Sequence, residues 1–115
     1  MNLAVMDGLA EMAGIYDLFI FDLWGVVHNG VSTYPGATDC MKRLRQRGSR
    51  VVLLSNAPRP SASVAAHLVE LGVTASLYDW LLTSGEATAN AIASRDPQPA
   101  FFHLGPERSR PTLKA

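Results

Sequence analysis

The sequence predicts an α/β fold: a parallel β-sheet in a three-layer arrangement with helices. Two observations carry that expectation. Apolar runs of four to six residues alternate with segments whose apolar residues recur at helical spacing, the pattern of strands joined by right-handed helical crossovers. The first two runs are nearly free of polar interruption, as strands covered on both faces are. A third observation bears on function. Polar side chains stand at the ends of successive runs, and open α/β sheets bind ligands just beyond the carboxyl ends of their strands.

The elements follow in order. Residues 18–23, Leu-Phe-Ile-Phe-Asp-Leu, are the first strand, and Tyr34-Pro35-Gly36 breaks the chain after it. Residues 37–47 place Ala37, Cys40, Met41 and Leu44 on one helical face, with Gly48 as the stop. Residues 50–54, Arg-Val-Val-Leu-Leu, are the second strand, and Pro58 and Pro60 mark the loop beyond it. Ser61 is suited to cap a helix whose apolar residues are Val64, Ala65, Leu68, Val69 and Leu71, ending at Gly72. Trp80-Leu-Leu-Thr83 is the third strand, and Ser84 is placed to cap a helix reaching Ser94. Ala100–Leu104 form a fourth strand candidate before Gly105-Pro106. Residues 1–105 thus read as one partial core domain, and 106–115 as a polar tail without a pattern of its own or the truncated entry to a further, capping domain. The three core strands are expected to lie adjacent in chain order, with the fourth less well integrated.

Composition narrows the classes. With 115 residues, 48% hydrophobic and 17% charged, the chain is a globular domain with a modest core rather than a disordered segment. Ten basic residues balance ten acidic ones, so nothing points to a nucleic-acid partner. The single cysteine, Cys40, excludes an intrachain disulfide and has no companion at metal-ligand spacing; it is expected on the buried face of its helix, unreactive. Residues 1–14 carry Asp7 and Glu11 and lack the basic start of a signal peptide, and no apolar run approaches the length needed to span a bilayer. A cytoplasmic protein without a membrane partner is expected.

The chemistry concentrates at three strand ends. Asp22 ends the first strand, Ser55-Asn56 the second and Thr83-Ser84 the third. A parallel sheet brings such ends to one edge. A carboxylate there, beside a hydroxyl and an amide, suits phosphoryl chemistry, because hydroxyl and backbone N–H groups hold phosphate oxygens and helix N-termini favour the anion. Each residue also has an ordinary alternative. Asp22 can start a turn, and Ser55, Asn56 and Ser84 can serve as turn or capping residues.

The motifs are more specific. Phe21-Asp22-Leu23-Trp24-Gly25-Val26-Val27-His28-Asn29-Gly30 resembles the first motif of the haloacid dehalogenase superfamily, in the class IIA phosphatases with a tryptophan before the glycine. Leu53-Leu54-Ser55-Asn56-Ala57-Pro58-Arg59 is similar to that branch's second motif. Leu82-Thr83-Ser84-Gly85-Glu86-Ala87 resembles the segment that follows, and Phe102-His103-Leu104-Gly105 the lead-in to the cap domain. The resemblance covers about residues 15–108 and implies a Rossmann-like core of which this is the N-terminal half. It implies that Asp22 is the nucleophile, forming an aspartyl phosphate, and a ligand of Mg²⁺ together with the backbone carbonyl of Trp24. It implies that Ser55 and the N–H of Asn56 hold the phosphoryl group of a small phosphorylated metabolite, and that Gly25 permits the turn bringing Trp24 to the site.

Two departures from that pattern matter. Most phosphatases of the superfamily carry a second Asp, the leaving-group acid, where this chain has Trp24, and indole cannot donate a proton in that way. His28 is the nearby candidate for a substitute; the alternative is a histidine on a surface flap. The family's third-motif lysine and fourth-motif acidic pair also have no counterpart. Beyond Glu86 the only acids are Asp96 and Glu107, and the only late lysine is Lys114. The sequence therefore reads as the N-terminal part of a phosphatase, without its cap and C-terminal half, inactive in isolation. The competing readings are a non-catalytic phosphate-binding module and a fragment without independent function. A first strand left without its second neighbour is expected to expose an apolar edge and to drive self-association.

Overall fold

The computed structural model describes residues 5–97 and 99–113; Lys114 lies outside the described residues. Three strands form one parallel sheet in the order β1-β2-β3: β1 (Leu18–Asp22), β2 (Arg50–Ser55) and β3 (Trp80–Thr83). Asp22 pairs with Leu54, and Ser55 pairs with Thr83, so the three strands end nearly level. The crossovers are the helices α1 (Ala37–Gln46) and α2 (Ser61–Glu70), and α3 (Ser84–Ala93) leaves β3 directly.

Alternation along the strands decides what each sheet face meets. Phe19, Val51 and Leu53 point one way and merge with Met41 and Leu44 of α1 and Val64 and Leu68 of α2 into a single buried core. Leu53, Val51, Met41 and Leu68 are fully enclosed, each contributing about 1.5–3 kcal/mol through burial. The opposite face is open. Leu18, Ile20 and Trp80 are 49%, 61% and 56% exposed there, and Leu54 and Leu82 are also exposed.

Both crossover helices stop where sequence chemistry dictates. Gly48 and Gly72 follow their last turns with φ of 90° and 86°, a backbone conformation that glycine adopts without steric cost. At the other edge of the sheet, Asp79 ties β2 to the start of β3. Its carboxylate accepts the Val51 N–H at 2.8 Å, and its own N–H donates to the Val51 carbonyl at 2.7 Å. That Val51 bond, with Arg45 and Arg50 beside it, holds the Asp79 carboxyl below the usual carboxylate range.

Several expectations need correction. The first strand ends at Asp22, and Leu23 turns inward as a buried residue of the next loop. Residues 100–104 form no strand and pair with neither open edge of the sheet. Ser61 is the first helical residue of α2 rather than its cap, because Pro60 occupies the capping position. Ser84 likewise lies inside α3, and Thr83 caps it. Nor is the tail featureless: Glu107–Leu113 is a 3-10 helix, and its Thr112 hydroxyl donates to the Pro58 carbonyl at 2.9 Å. Cys40 is half-buried on α1, and burial together with Asp39 pushes its thiol pKa up while Arg43 opposes.

Candidate active site at the carboxyl edge of the sheet

A cleft of about 580 Å³ opens at the carboxyl ends of the strands. Its polar wall is Asp22, Ser55, Asn56, Thr83 and Ser84, and its apolar wall includes Ile20, Leu54 and Leu82 from the open sheet face. Asp22, Ser55, Asn56 and Ser84 thus line one cleft, and Trp24 is not among its lining residues. The register puts Ser55 one step beyond Asp22 on the adjacent strand, and strand spacing and rise then set their Cα atoms about 6 Å apart.

Asp22 is exposed, and its Oδ1 accepts the N–H of Leu23 at 2.7 Å. That bond fixes the carboxylate at the strand end and leaves the other oxygen free to act. Ser55 plays its ordinary turn role as well: its hydroxyl oxygen accepts the Ala57 N–H at 3.2 Å. The hydroxyl proton remains available to an incoming oxyanion, so the turn role and the phosphate role are compatible. Asn56 follows in the exposed loop, and Ser84 stands on the first turn of α3, whose N-terminal end favours an anion.

The β1–α1 loop is built around Gly25 and His28. Gly25 has φ of 83°, as the expected tight turn requires, and its N–H donates to the His28 carbonyl at 2.9 Å. No hydrogen bond among the described residues engages the carbonyl of Trp24. The indole is 67% exposed and lies over Gly30, where an added Cβ would come within 2.5 Å of the ring. His28 is not a surface flap histidine, for it is only 6% exposed. Its Nδ1 accepts the Gly30 N–H at 2.9 Å, which leaves the proton of the neutral ring on Nε2. Burial, and His67 edge-on at 6.1 Å between ring centres, hold its pKa below the ordinary imidazole value. His28, like Trp24, is not among the residues lining the cleft.

An oxygen-ligand test for Mg²⁺ gives a partial set. The free Asp22 oxygen and the Trp24 carbonyl are hard donors of the kind Mg²⁺ takes, with waters and substrate oxygens completing its octahedron. Among the described residues no group of three or more His, Cys, Asp or Glu side chains assembles elsewhere to compete for a metal.

A lock between β3 and the β2–α2 loop was not read from the sequence. The buried Thr83 hydroxyl donates to the Arg59 carbonyl at 2.6 Å and accepts the Glu86 N–H at 3.0 Å. Glu86 then reaches across to α2, where its Oε2 accepts the Ser61 N–H at 3.0 Å and supplies the cap that Pro60 cannot. Gly85 donates to the Ala57 carbonyl at 3.0 Å, and a Cβ on it would strike the Arg59 backbone at 2.5 Å. The signal was present: Thr-x-x-Glu is a capping-box pattern, and it starts at Thr83, not at Ser84. Thr83, Gly85 and Glu86 thereby hold the loop that presents Ser55 and Asn56.

Comparison with known proteins places this geometry. A family model described as haloacid dehalogenase-like hydrolase matches residues 19–115. Rat (Rattus norvegicus) chronophin is 32% identical over 118 residues, covering 97% of this chain and 37% of its own length. A D-glycerol 3-phosphate phosphatase of Mycobacterium tuberculosis is 33% identical over 87 residues, covering 76% of this chain and 24% of its own. The crystal structure of a haloacid dehalogenase-like hydrolase from Brucella suis superposes with a TM-score of 0.83 at 36% identity, over 96% of this chain and 42% of that one. The chain spans less than half the length of the relatives it matches.

Proposed function

The chain belongs to the haloacid dehalogenase-like hydrolases, and we propose that it carries the nucleophile and phosphate cradle of a Mg²⁺-dependent phosphatase acting on a small phosphorylated metabolite. The observation that supports this most is the convergence of Asp22, Ser55, Asn56 and Ser84 on one cleft at the strand ends. The D-glycerol 3-phosphate phosphatase and the 4-nitrophenylphosphatase among its relatives favour the same reaction class.

In this mechanism the free oxygen of Asp22 attacks phosphorus, the bond to the leaving oxygen breaks, and an aspartyl phosphate forms. Water then attacks phosphorus, releasing inorganic phosphate and restoring the carboxylate. The Ser55 hydroxyl donates to a phosphoryl oxygen, and the N–H of Asn56 adds a second donor. Both groups are preorganised, because the loop that carries them is pinned by Thr83 and Glu86. Bound Mg²⁺, held by Asp22 and the Trp24 carbonyl, would neutralise phosphate charge. Trp24 has no acidic proton to give, so the leaving oxygen takes its proton from solvent.

Among the described residues the cleft is lined by one carboxylate, Asp22, and by no other side chain suited to general acid work. A positioned general acid supplies about 10²–10⁴-fold in rate. Phosphate release from small phosphomonoesters with Mg²⁺ present is therefore expected at trace level from this chain, and Asp22→Asn should remove what is left. Release that persists in Asp22→Asn would overturn the assignment of the nucleophile.

A further inference from the structure

Beside the cleft lies a second cavity, of about 450 Å³, bounded by Ala57, Pro58 and Arg59 on one side and Pro106, Arg108 and Ser109 on the other. Two arginines thus line one small groove. Neither forms an ion pair among the described residues. Glu86 accepts the Ser61 N–H, and Glu107 pairs with Arg110 at 3.1 Å. Ser109 is 7% exposed, and its hydroxyl has no hydrogen-bond partner. Two arginines without ion-pair partners lining one groove are an arrangement that an anion would complete.

Position ties the groove to the cleft. Asn56 lines the cleft, and Ala57, Pro58 and Arg59, the next three residues, line the groove. The Cα atoms of Asn56 and Arg59 are therefore no more than about 11 Å apart. The span suits a small molecule with an anionic group at each end. Resting on the phosphatase reading above, we propose that this groove binds a second anionic group, a carboxylate or phosphate, of the substrate whose phosphoryl group sits at Asp22 and Ser55. The preferred substrate class is then a phosphorylated acid or a bisphosphate rather than a phosphorylated alcohol. Arg59 and Arg108 are specificity residues with no part in the transfer step.

Amide shifts in the full chain test this with three probes: inorganic phosphate, glycerol 3-phosphate and 3-phosphoglycerate, the last two differing by a hydroxymethyl group in place of a carboxylate. The proposal expects 3-phosphoglycerate to bind about fivefold to tenfold more tightly than glycerol 3-phosphate, the gain of one charge-assisted contact at a partly exposed site. Arg108→Gln, an exposed position, should remove that preference and leave glycerol 3-phosphate and inorganic phosphate unchanged. Equal binding of the two organic probes, equal weakening of both by Arg108→Gln, or separate saturation of the groove by inorganic phosphate would overturn the proposal while leaving the cleft intact. Absence of any shift at Ser55 and Asn56 with all three probes would overturn the phosphatase reading itself.

Discussion

Thr83→Val is the sharpest perturbation of the scaffold beneath the site. Valine has nearly the shape of threonine, and Thr83 is 1% exposed, so the change removes a hydroxyl with little change of packing. Two close hydrogen bonds go with it, along with a long contact to the Ser61 hydroxyl at 3.5 Å. The Glu86 N–H loses its cap, at a cost of about 1 kcal/mol, and the Arg59 carbonyl loses its donor at 2.6 Å, at a cost of about 1–2 kcal/mol. The sum is about 2–3 kcal/mol. For a chain of 115 residues the usual unfolding entropy turns this into a fall in Tm of about 8–12 °C. Thermal unfolding followed by circular dichroism measures it. Thr83→Ser is the control, since it keeps the hydroxyl and loses about 1 kcal/mol with the methyl group. A Thr83→Val protein as stable as the parent, or less destabilised than Thr83→Ser, would refute the idea that this hydroxyl pins the β2–α2 loop.

Two further predictions concern the sheet face and the buried imidazole. The open edge of β1 and the exposed Leu18, Ile20 and Leu82 should make the chain self-associate with rising concentration, and Ile20→Lys should shift it toward monomer in light scattering; a parent chain that stays monomeric at high concentration would contradict this. His28 has its folded pKa below the unfolded value of 6.5, so the unfolded chain binds the proton more readily, and stability is full above pH 6.5 and is lost as pH falls from there toward the folded pKa. His28→Asn, which keeps an acceptor for the Gly30 N–H, should flatten that part of the denaturation profile, whereas an unchanged slope would assign the acid sensitivity to other groups.

Much of this arrangement is legible in sequence because the physics is local. Leu-Phe-Ile-Phe and Val-Val-Leu-Leu are short apolar runs between turn residues, and they emerge as the paired β1 and β2. Asp22, Ser55 and Ser84 end or follow strands that run the same way, so a parallel sheet alone brings them to one cleft. What sequence hides depends on partners far along the chain. Ser61 reads as a cap until Glu86 is seen to do that work from 25 residues away. Phe101 and Phe102 read as strand residues, yet they do not join the sheet, and both are exposed. His28 reads as a flap residue because nothing in its own segment reveals His67 against its ring. The tail reads as patternless because its anchor, the Pro58 carbonyl, is 54 residues earlier.

The central claim is that Asp22 is a phosphoryl-accepting nucleophile, and it can be tested without turnover. Beryllofluoride mimics a phosphoryl group on a carboxylate, and fluorine NMR detects the bound form directly. The account predicts a bound fluorine signal when the chain is given beryllofluoride with Mg²⁺, accompanied by amide shifts at Ser55 and Asn56 and lost in Asp22→Asn. No bound signal in the parent chain, or a bound signal that survives Asp22→Asn, would contradict it.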